Sequence, residues 1–455
     1  MKLVYNIQDR PETGKLVVYA FQQVLAIMAA TITVPMVVNS TAGVNMSTAA
    51  AMFGAGVGTL IYVFFTKRKS PVFLGSSFAF IGSMVTAFAG AVSVAAGFAG
   101  LIVGALFAGL VYVFLALIIN SVGVEWLNKL MPPVIIGPTV AIIGLSLAGS
   151  AISNLTSSSA TGEATQWAVL CGLIALGATM WASVYGKKNV RLIPFIIGIL
   201  CGYAAAVILT LIGNAINDPA MQIVSFAPFA ALVEGGVSIK TFLAVPDFTF
   251  LTGIKGLSEM TGSYYLTVAA AYIPVAAVVF AEHIADHKNI SSIIEKDLLT
   301  DPGLDKTLLG DGVGSIVGAF FGGCPNTTYG ESVACVAITK NASVATIITA
   351  ALECILISFL SPLIAFISSI PSCVMGGVCM ALYGFIAVSG LKMIQKVNLD
   401  DNRNLFVVST ILIAGIGGLS LTFWNITITS IATALILGII VNTALRNAPD
   451  PKEED

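Results

Sequence analysis

Charge is what this chain has least of. Asp, Glu, Lys and Arg make up 10% of its 455 residues, against roughly 25% in a soluble domain. That is too little to cover a water-facing surface, which excludes an ordinary soluble globule. Cysteine is scarce as well: the seven (Cys171, Cys201, Cys324, Cys335, Cys354, Cys373 and Cys379) are odd in number and lack close spacing. A disulfide frame and a zinc motif are both excluded, and buried, inert thiols are the reading that fits. No basic stripe with interleaved aromatics occurs, so nucleic acid is not an expected partner. No phosphate loop, dinucleotide fingerprint or nucleophile elbow stands out, so no cofactor is expected. The first fifteen residues are polar and lead straight into a long apolar run, which reads as a permanent first span rather than a cleaved signal.

What the chain has is apolar length. Hydrophobic residues make up 57% of it, and runs near the roughly 20 residues that cross a hydrocarbon core recur from Leu16 to Leu445. The pattern predicts an all-α polytopic protein in a lipid bilayer. Its fourteen candidate segments lie near 16–38, 48–66, 72–90, 94–120, 132–150, 165–186, 192–214, 263–287, 309–323, 325–339, 342–367, 371–391, 404–421 and 426–446. With both termini cytoplasmic, the basic residues Lys2, Lys67, Arg68, Lys69, Lys129, Lys188, Arg191, Lys288, Lys396, Arg403 and Lys452 all lie inside. Only Lys240 and Lys255 of the 21 basic residues fall outside, both in the long 215–262 connection, where the positive-inside rule weakens.

Two segments are irregular where a lipid-facing helix should be plain: Pro71 to Phe80, and Gly322 to Glu331, which contains Gly323-Cys324-Pro325. Such backbone survives at membrane depth only where protein or a wet cavity satisfies it. The halves also show a faint repeat. Met131-Pro132-Pro133 before Gly137 resembles Ile370-Pro371-Ser372 before Gly376. The irregular segments occupy the third and tenth spans. Seven spans per half would invert the second half, and paired interrupted segments point to a transporter's central site.

Four acids stand out within the spans: Glu282, Asp286, Glu331 and Glu353. Each needs a reason, since a charge at the bilayer centre costs at least about 2.5 kcal/mol. Glu282 and Asp286 share a helical face and resist ionising together, so the pair could hold and release a proton. The plain alternative leaves Asp286 solvated at the cytoplasmic end beside His287 and Lys288. Glu331 follows a Thr-Thr-Tyr-Gly run with free backbone N–H groups. A flat nucleobase offers ring N–H donors to a carboxylate, carbonyl acceptors to free amides and a face for Phe78 or Tyr329 to stack on; ordinary packing is the alternative for both rings. Glu353 has no identifiable partner. His283 and His287 superficially resemble a zinc-peptidase motif, but with Asp in place of Glu and no third histidine. His283 could instead join a proton path or make a plain interhelical hydrogen bond.

Together the blocks Gly75-Ser76-Ser77-Phe78-Ala79-Phe80, Ala281-Glu282-His283-Ile284-Ala285-Asp286-His287, Asp301-Pro302-Gly303-Leu304, Asn326-Thr327-Thr328-Tyr329-Gly330-Glu331, and Val374-Met375-Gly376-Gly377 with Leu382-Tyr383-Gly384 give a chain that resembles the nucleobase–ascorbate transporter family over nearly its whole length, most closely its bacterial uracil-transporting branch. The resemblance implies two inverted seven-span repeats, with short antiparallel strands in spans three and ten. It implies a core domain of 16–130 and 263–368 and a gate domain of 131–214 and 369–446. The remainder is a tail at 1–15, an extracytoplasmic connection at 215–262 and a tail at 447–455. It further implies that Glu282 and Glu331 hydrogen-bond uracil, that the main chains at Phe78 and Gly330 contact it, and that Ala30, Ser77, Tyr329 and Tyr383 line the pocket. Asp286 falls where a well-known relative carries a protonatable histidine.

The expected activity is import of uracil by proton symport across the cell membrane, with no metal, sodium left open as the coupling ion and a homodimer allowed. A xanthine or urate carrier is the alternative of the same class; an intramembrane metallohydrolase or a channel are alternatives of other classes. Ser332 and Ala334 depart from the family signature, which has Asn and Gly there. That Asn braces the site, so a different affinity or substrate range is expected.

Overall fold

The computed structural model describes residues 3–123, 132–158, 160–187, 190–191, 193–423 and 426–446. Lys2, Lys129, Met131, Lys188 and the 447–455 tail with Lys452, all used above, lie outside the described residues.

Helix α1 (Thr13–Ala42) is followed by α2 (Thr48–Phe65), strand β1 (Leu74–Ser76), a tight helical turn at Phe78–Phe80 that runs into α3 (Ile81–Ala89), and α4 (Val94–Val122). Next come α5 (Pro133–Ser146), α6 (Ala148–Thr156), α7 (Gln166–Tyr185) and α8 (Pro194–Ile216). The connection beyond carries α9 (Ala227–Val233), α10 (Ile239–Phe242) and α11 (Thr249–Gly256). The second half opens with α12 (Gly262–Ile294), α13 (Leu304–Gly322), β2 (Asn326–Thr328) and α14 (Gly330–Thr339). It closes with α15 (Val344–Ile357), α16 (Ser361–Ser369), α17 (Ser372–Ile394), α18 (Asn402–Ile416), β3 (Leu421–Phe423), β4 (Ile426–Ile428) and α19 (Ser430–Leu445).

The helix starts follow local chemistry. Ser47, Ser93, Thr165 and Thr261 each cap the helix that follows by accepting a backbone N–H, while α5 and α8 open on Pro133 and Pro194, whose missing N–H costs nothing there. Among the described residues α1, α2, α4, α5 joined to α6, α7, α8, α12 and α17 are long and apolar enough to cross a membrane, with shorter apolar helices between them. Two expected spans change. The one at 342–367 divides after Ile357, and Pro362 in the first turn of α16 favours a fresh start there. The one expected to stop near residue 287 runs on to Ile294, so Asp286 sits in the body of α12.

Two bundles result. α1 to α4 pack chiefly with α12, α13 and α15, while α5 to α8 pack chiefly with α17, α18 and α19. Small residues let the backbones close in. In the first bundle Gly54 meets Gly318, and a methyl on Gly58 would sit 2.8 Å from the Gly314 oxygen; in the second, Gly137 meets Gly390 and Ile394, and Gly144 meets Tyr383 and Ala387.

At the centre of the first bundle β1 and β2 pair antiparallel, with Leu74 opposite Thr328 and Ser76 opposite Asn326. Thr59, inside α2, accepts the Leu74 N–H at 2.9 Å and donates to the Leu74 oxygen at 3.2 Å. The strands therefore lie level with the bodies of the helices. Each strand leads into a short helix, and antiparallel pairing sends those helices in opposite directions, which is the inverted relation between the halves.

Candidate functional site

The broken backbone makes the site. A helix leaves its first N–H groups without helical partners, and two helices begin here: the turn at Phe78 and α14 at Gly330. The junctions are fixed by Ser77 N–H donating to the Pro325 oxygen at 2.9 Å and Tyr329 N–H donating to the Phe73 oxygen at 3.2 Å. Both helix N-termini, each carrying partial positive charge, approach the same place.

There a cavity of about 500 Å³ opens between the bundles. From the first bundle it is lined by Phe78, Glu282, Asp286, Thr328, Gly330 and Glu331, and from the second by Val140, Phe195, Leu382, Phe385, Ile386 and Arg191. Three carboxyls thus face one mostly apolar chamber, Glu282 and Asp286 one turn apart on α12 and Glu331 at the start of α14. Asp286 is not solvated at a helix end: its Oδ2 accepts the Thr328 hydroxyl at 2.8 Å. Gly330 is open to the cavity, and a methyl there would find only Asp286 Oδ1 within reach, at 3.8 Å.

Tyr329 also lines the cavity, as expected, but its ring covers Gly75 and its hydroxyl donates to the Ser76 oxygen at 2.7 Å, so this ring fastens the two broken segments together. The other expected residues lie differently. Tyr383 of α17 meets Phe78 edge to face, ring centroids 5.9 Å apart, across the seam between the bundles. Ala30 and Ser77 are buried and contribute no surface to the cavity. His283 also lies outside the cavity, because its side of α12 faces α13. Its Nδ1 is 2.7 Å from Asp311 Oδ2 and its Nε2 3.0 Å from the Thr307 hydroxyl. His287 Nδ1 lies 2.8 Å from the His283 oxygen and its Nε2 2.6 Å from the Tyr62 hydroxyl. All four ring nitrogens therefore have protein partners, and the zinc-peptidase-like reading finds no geometric support. Glu353 has both carboxyl oxygens buried and without a hydrogen-bond partner among the described residues.

Several residues of this region escape a reading of the sequence. Asp311 is an intramembrane acid inside the ninth candidate span, and the cost argument applied to the other four would have found it. Gln23 of α1 is buried and donates to the Ser332 hydroxyl, which accepts the Phe73 N–H at 3.0 Å. Ser332, although not the family's Asn, thus joins α1, α14 and the approach to β1. Arg191 lines the cavity while its Nη2 donates to the Val184 oxygen at 2.7 Å; no local pattern sets it apart from other basic residues at membrane edges.

Comparison with known proteins agrees with this architecture. Residues 14–423 match the model of the Permease family, Xan_ur_permease. The chain is 35% identical to the uracil permease of Bacillus subtilis (strain 168) over 460 residues, covering 100% of this chain and 97% of that one. It is 34% identical to the uracil permease of Bacillus caldolyticus, covering 99% and 97%, and 32% identical to that of Escherichia coli (strain K12), covering 95% and 92%. Among solved structures it shares the fold of the transmembrane domain of a cyanobacterial bicarbonate transporter, BicA, with a TM-score of 0.59 at 14% identity, covering 96% of this chain and 100% of that one. It shares it likewise with SLC26A9, with a TM-score of 0.64 at 11% identity, covering 96% and 66%. Matched end to end in this way, the chain belongs to the Permease family of nucleobase–ascorbate transporters, a multi-pass membrane transporter and not an enzyme.

Proposed function

We propose that the chain carries a nucleobase across the cell membrane by proton symport, with uracil as the substrate. One observation carries this reading: Glu282, Asp286 and Glu331 line a single cavity on which two helix N-termini converge. Uracil presents two ring N–H donors and two carbonyl acceptors on a flat, weakly polar ring. Glu282 and Glu331 accept the N–H groups, the main-chain amides at Phe78 and Gly330 donate to the carbonyls, and Phe78 offers an aromatic face. The uracil permeases to which the chain is similar support the same substrate.

A proton shared among three neighbouring carboxyls relieves their repulsion, and Asp286, tied to β2 through Thr328, is the group through which its arrival is felt at the strands. The first bundle acts as the core and the second as the gate. Substrate and proton bind in the seam from outside, and movement of core against gate opens the seam to the cytoplasm, where the charge pattern places both termini.

Uptake of labelled uracil by permease-deficient cells carrying this chain, at two external pH values and with or without sodium, tests the reading. Accumulation that rises at acidic pH, ignores sodium and resists excess xanthine is expected. Sodium-dependent uptake would reassign the coupling ion, competition by xanthine would reassign the substrate class, and equilibration without accumulation would indicate a channel.

A further inference from the structure

The connection between α8 and α12 has its apolar side turned outward. α11 meets α4 through glycine: a methyl on Gly253 would lie 2.7 Å from Ile102 Cδ1 and 3.2 Å from the Phe98 oxygen, and one on Gly256 would run into the backbone of Ala95. The side chains directed away from that contact are Leu251 and Ile254, exposed by 48% and 53%. A helix bathed in water turns its large apolar side chains inward; of its own, α11 turns only Phe250, which stacks on Phe320, inward along with its glycines, and leaves Leu251 and Ile254 out. The stretch before it is more extreme, with Val237, Ile239, Phe242 and Val245 exposed by 75%, 79%, 57% and 72%.

This stretch is held in place. Leu243 bridges to Leu360, the Ala244 N–H donates to the Phe359 oxygen at 2.9 Å, and the Ser361 hydroxyl donates to the Lys240 oxygen at 3.0 Å. The apolar side chains are thus presented outward by a fixed backbone. α11 itself lies against α4 at Ala95, Phe98 and Ile102, and further along α4 exposes Leu106, Leu110 and Phe114, as a membrane-spanning helix does toward lipid. Lys240 and Lys255 are spaced among the apolar residues of the connection, long stems that cover apolar surface while the ammonium reaches outward.

We propose that residues 226–257 form a strap seated at the headgroup–acyl boundary of the leaflet that receives the end of α8 and the start of α12. Ile239, Phe242, Val245, Leu251 and Ile254 are immersed in acyl chains, and Lys240 and Lys255 reach phospholipid phosphates, as in amphipathic segments that lie in an interface. The partner of this surface is the phospholipid itself, and the strap travels with the first bundle.

Nitroxide labels at Ile239→Cys and Val245→Cys test it, in full-length protein with the exposed native thiol replaced by Cys201→Ser, reconstituted in phosphatidylethanolamine–phosphatidylglycerol liposomes. Leu110→Cys gives the lipid reference and Glu12→Cys the water reference. Both strap labels should collide with oxygen more than a water-exposed site does and with a nickel chelate more than a mid-bilayer site does, giving a ratio between those at positions 12 and 110. A ratio matching position 12 at both sites would overturn the proposal. So would strong spin–spin broadening between copies, which would assign the face to a second chain. The measurement involves no nucleobase, so its outcome is independent of the substrate reading.

Discussion

The Thr328 hydroxyl donates to Asp286 Oδ2 at 2.8 Å, so the end of β2 is tied to α12 one turn away from Glu282. An acid that lines the cavity is thereby linked to the strand whose neighbours Gly330 and Glu331 lie at the same cavity. In the proposed mechanism a proton at Asp286 and a flat ligand at Gly330 and Glu331 would act on the same short piece of chain.

Asp286→Asn keeps the shape and the bond to Thr328 but cannot ionise. Coupling between two sites in one protein is worth about 1–3 kcal/mol, or roughly 5- to 150-fold. Uracil accumulation driven by an acidic exterior is expected to fall by about that factor, while exchange of internal for external uracil persists. Counterflow and net uptake in proteoliposomes measure the two separately, and a loss of both or of neither would remove Asp286 from the coupling role.

Ser332 satisfies two buried donors at once, the Phe73 N–H and the Gln23 amide. Leaving a buried donor unpaired costs about 1–3 kcal/mol. Ser332→Ala should lower Tm and raise KM for uracil, because Phe73 precedes β1 and its oxygen holds Tyr329. Ser332→Asn, which restores both an acceptor and a reach toward Gln23, should recover much of the loss. A thermal-shift assay paired with uptake kinetics reads both effects; an alanine variant with unchanged Tm and KM would show the brace to be idle.

Two glycines give opposite expectations. A methyl on Gly318 would collide with the Asn326 side chain, whereas one on Gly384 meets nothing within 4 Å. Overpacking costs about 1–3 kcal/mol, and an unobstructed Gly to Ala change inside a helix gains up to about 1 kcal/mol. Gly318→Ala should melt lower than the parent and transport poorly, since Asn326 belongs to β2, while Gly384→Ala should melt at the same temperature or higher. Equal melting of the two variants would contradict the close packing of α13 on Asn326 of β2.

Much of this was legible from residue order. Pro71, Gly75, Gly323 and Pro325 break helices on sight, and a broken stretch at membrane depth has to be satisfied by protein or a wet cavity, so two irregular segments could be expected before any coordinates; that they pair as antiparallel strands was implied only by the family resemblance. Glu282 and Glu331 stood out because acids inside apolar runs are expensive. The orientation of side chains around a helix was less legible. His283 and Glu282 are adjacent in sequence, yet one faces α13 and the other the cavity, a distinction set by which neighbour packs on which side of α12. Gln23 and Arg191 carried no signal, since each takes its role from a partner far away in the chain. Tyr329 lay at the expected place, but the bare Gly75 opposite drew its ring onto the strand pair.

Equilibrium binding of labelled uracil to the purified protein, compared among the parent, Glu282→Gln and Glu331→Gln, tests most directly whether these carboxyls hold the base. A hydrogen bond to a charged group is worth about 1.5–3 kcal/mol. Each variant should therefore bind roughly 10- to 100-fold more weakly while remaining folded and monodisperse. Parental affinity in both variants would contradict the site.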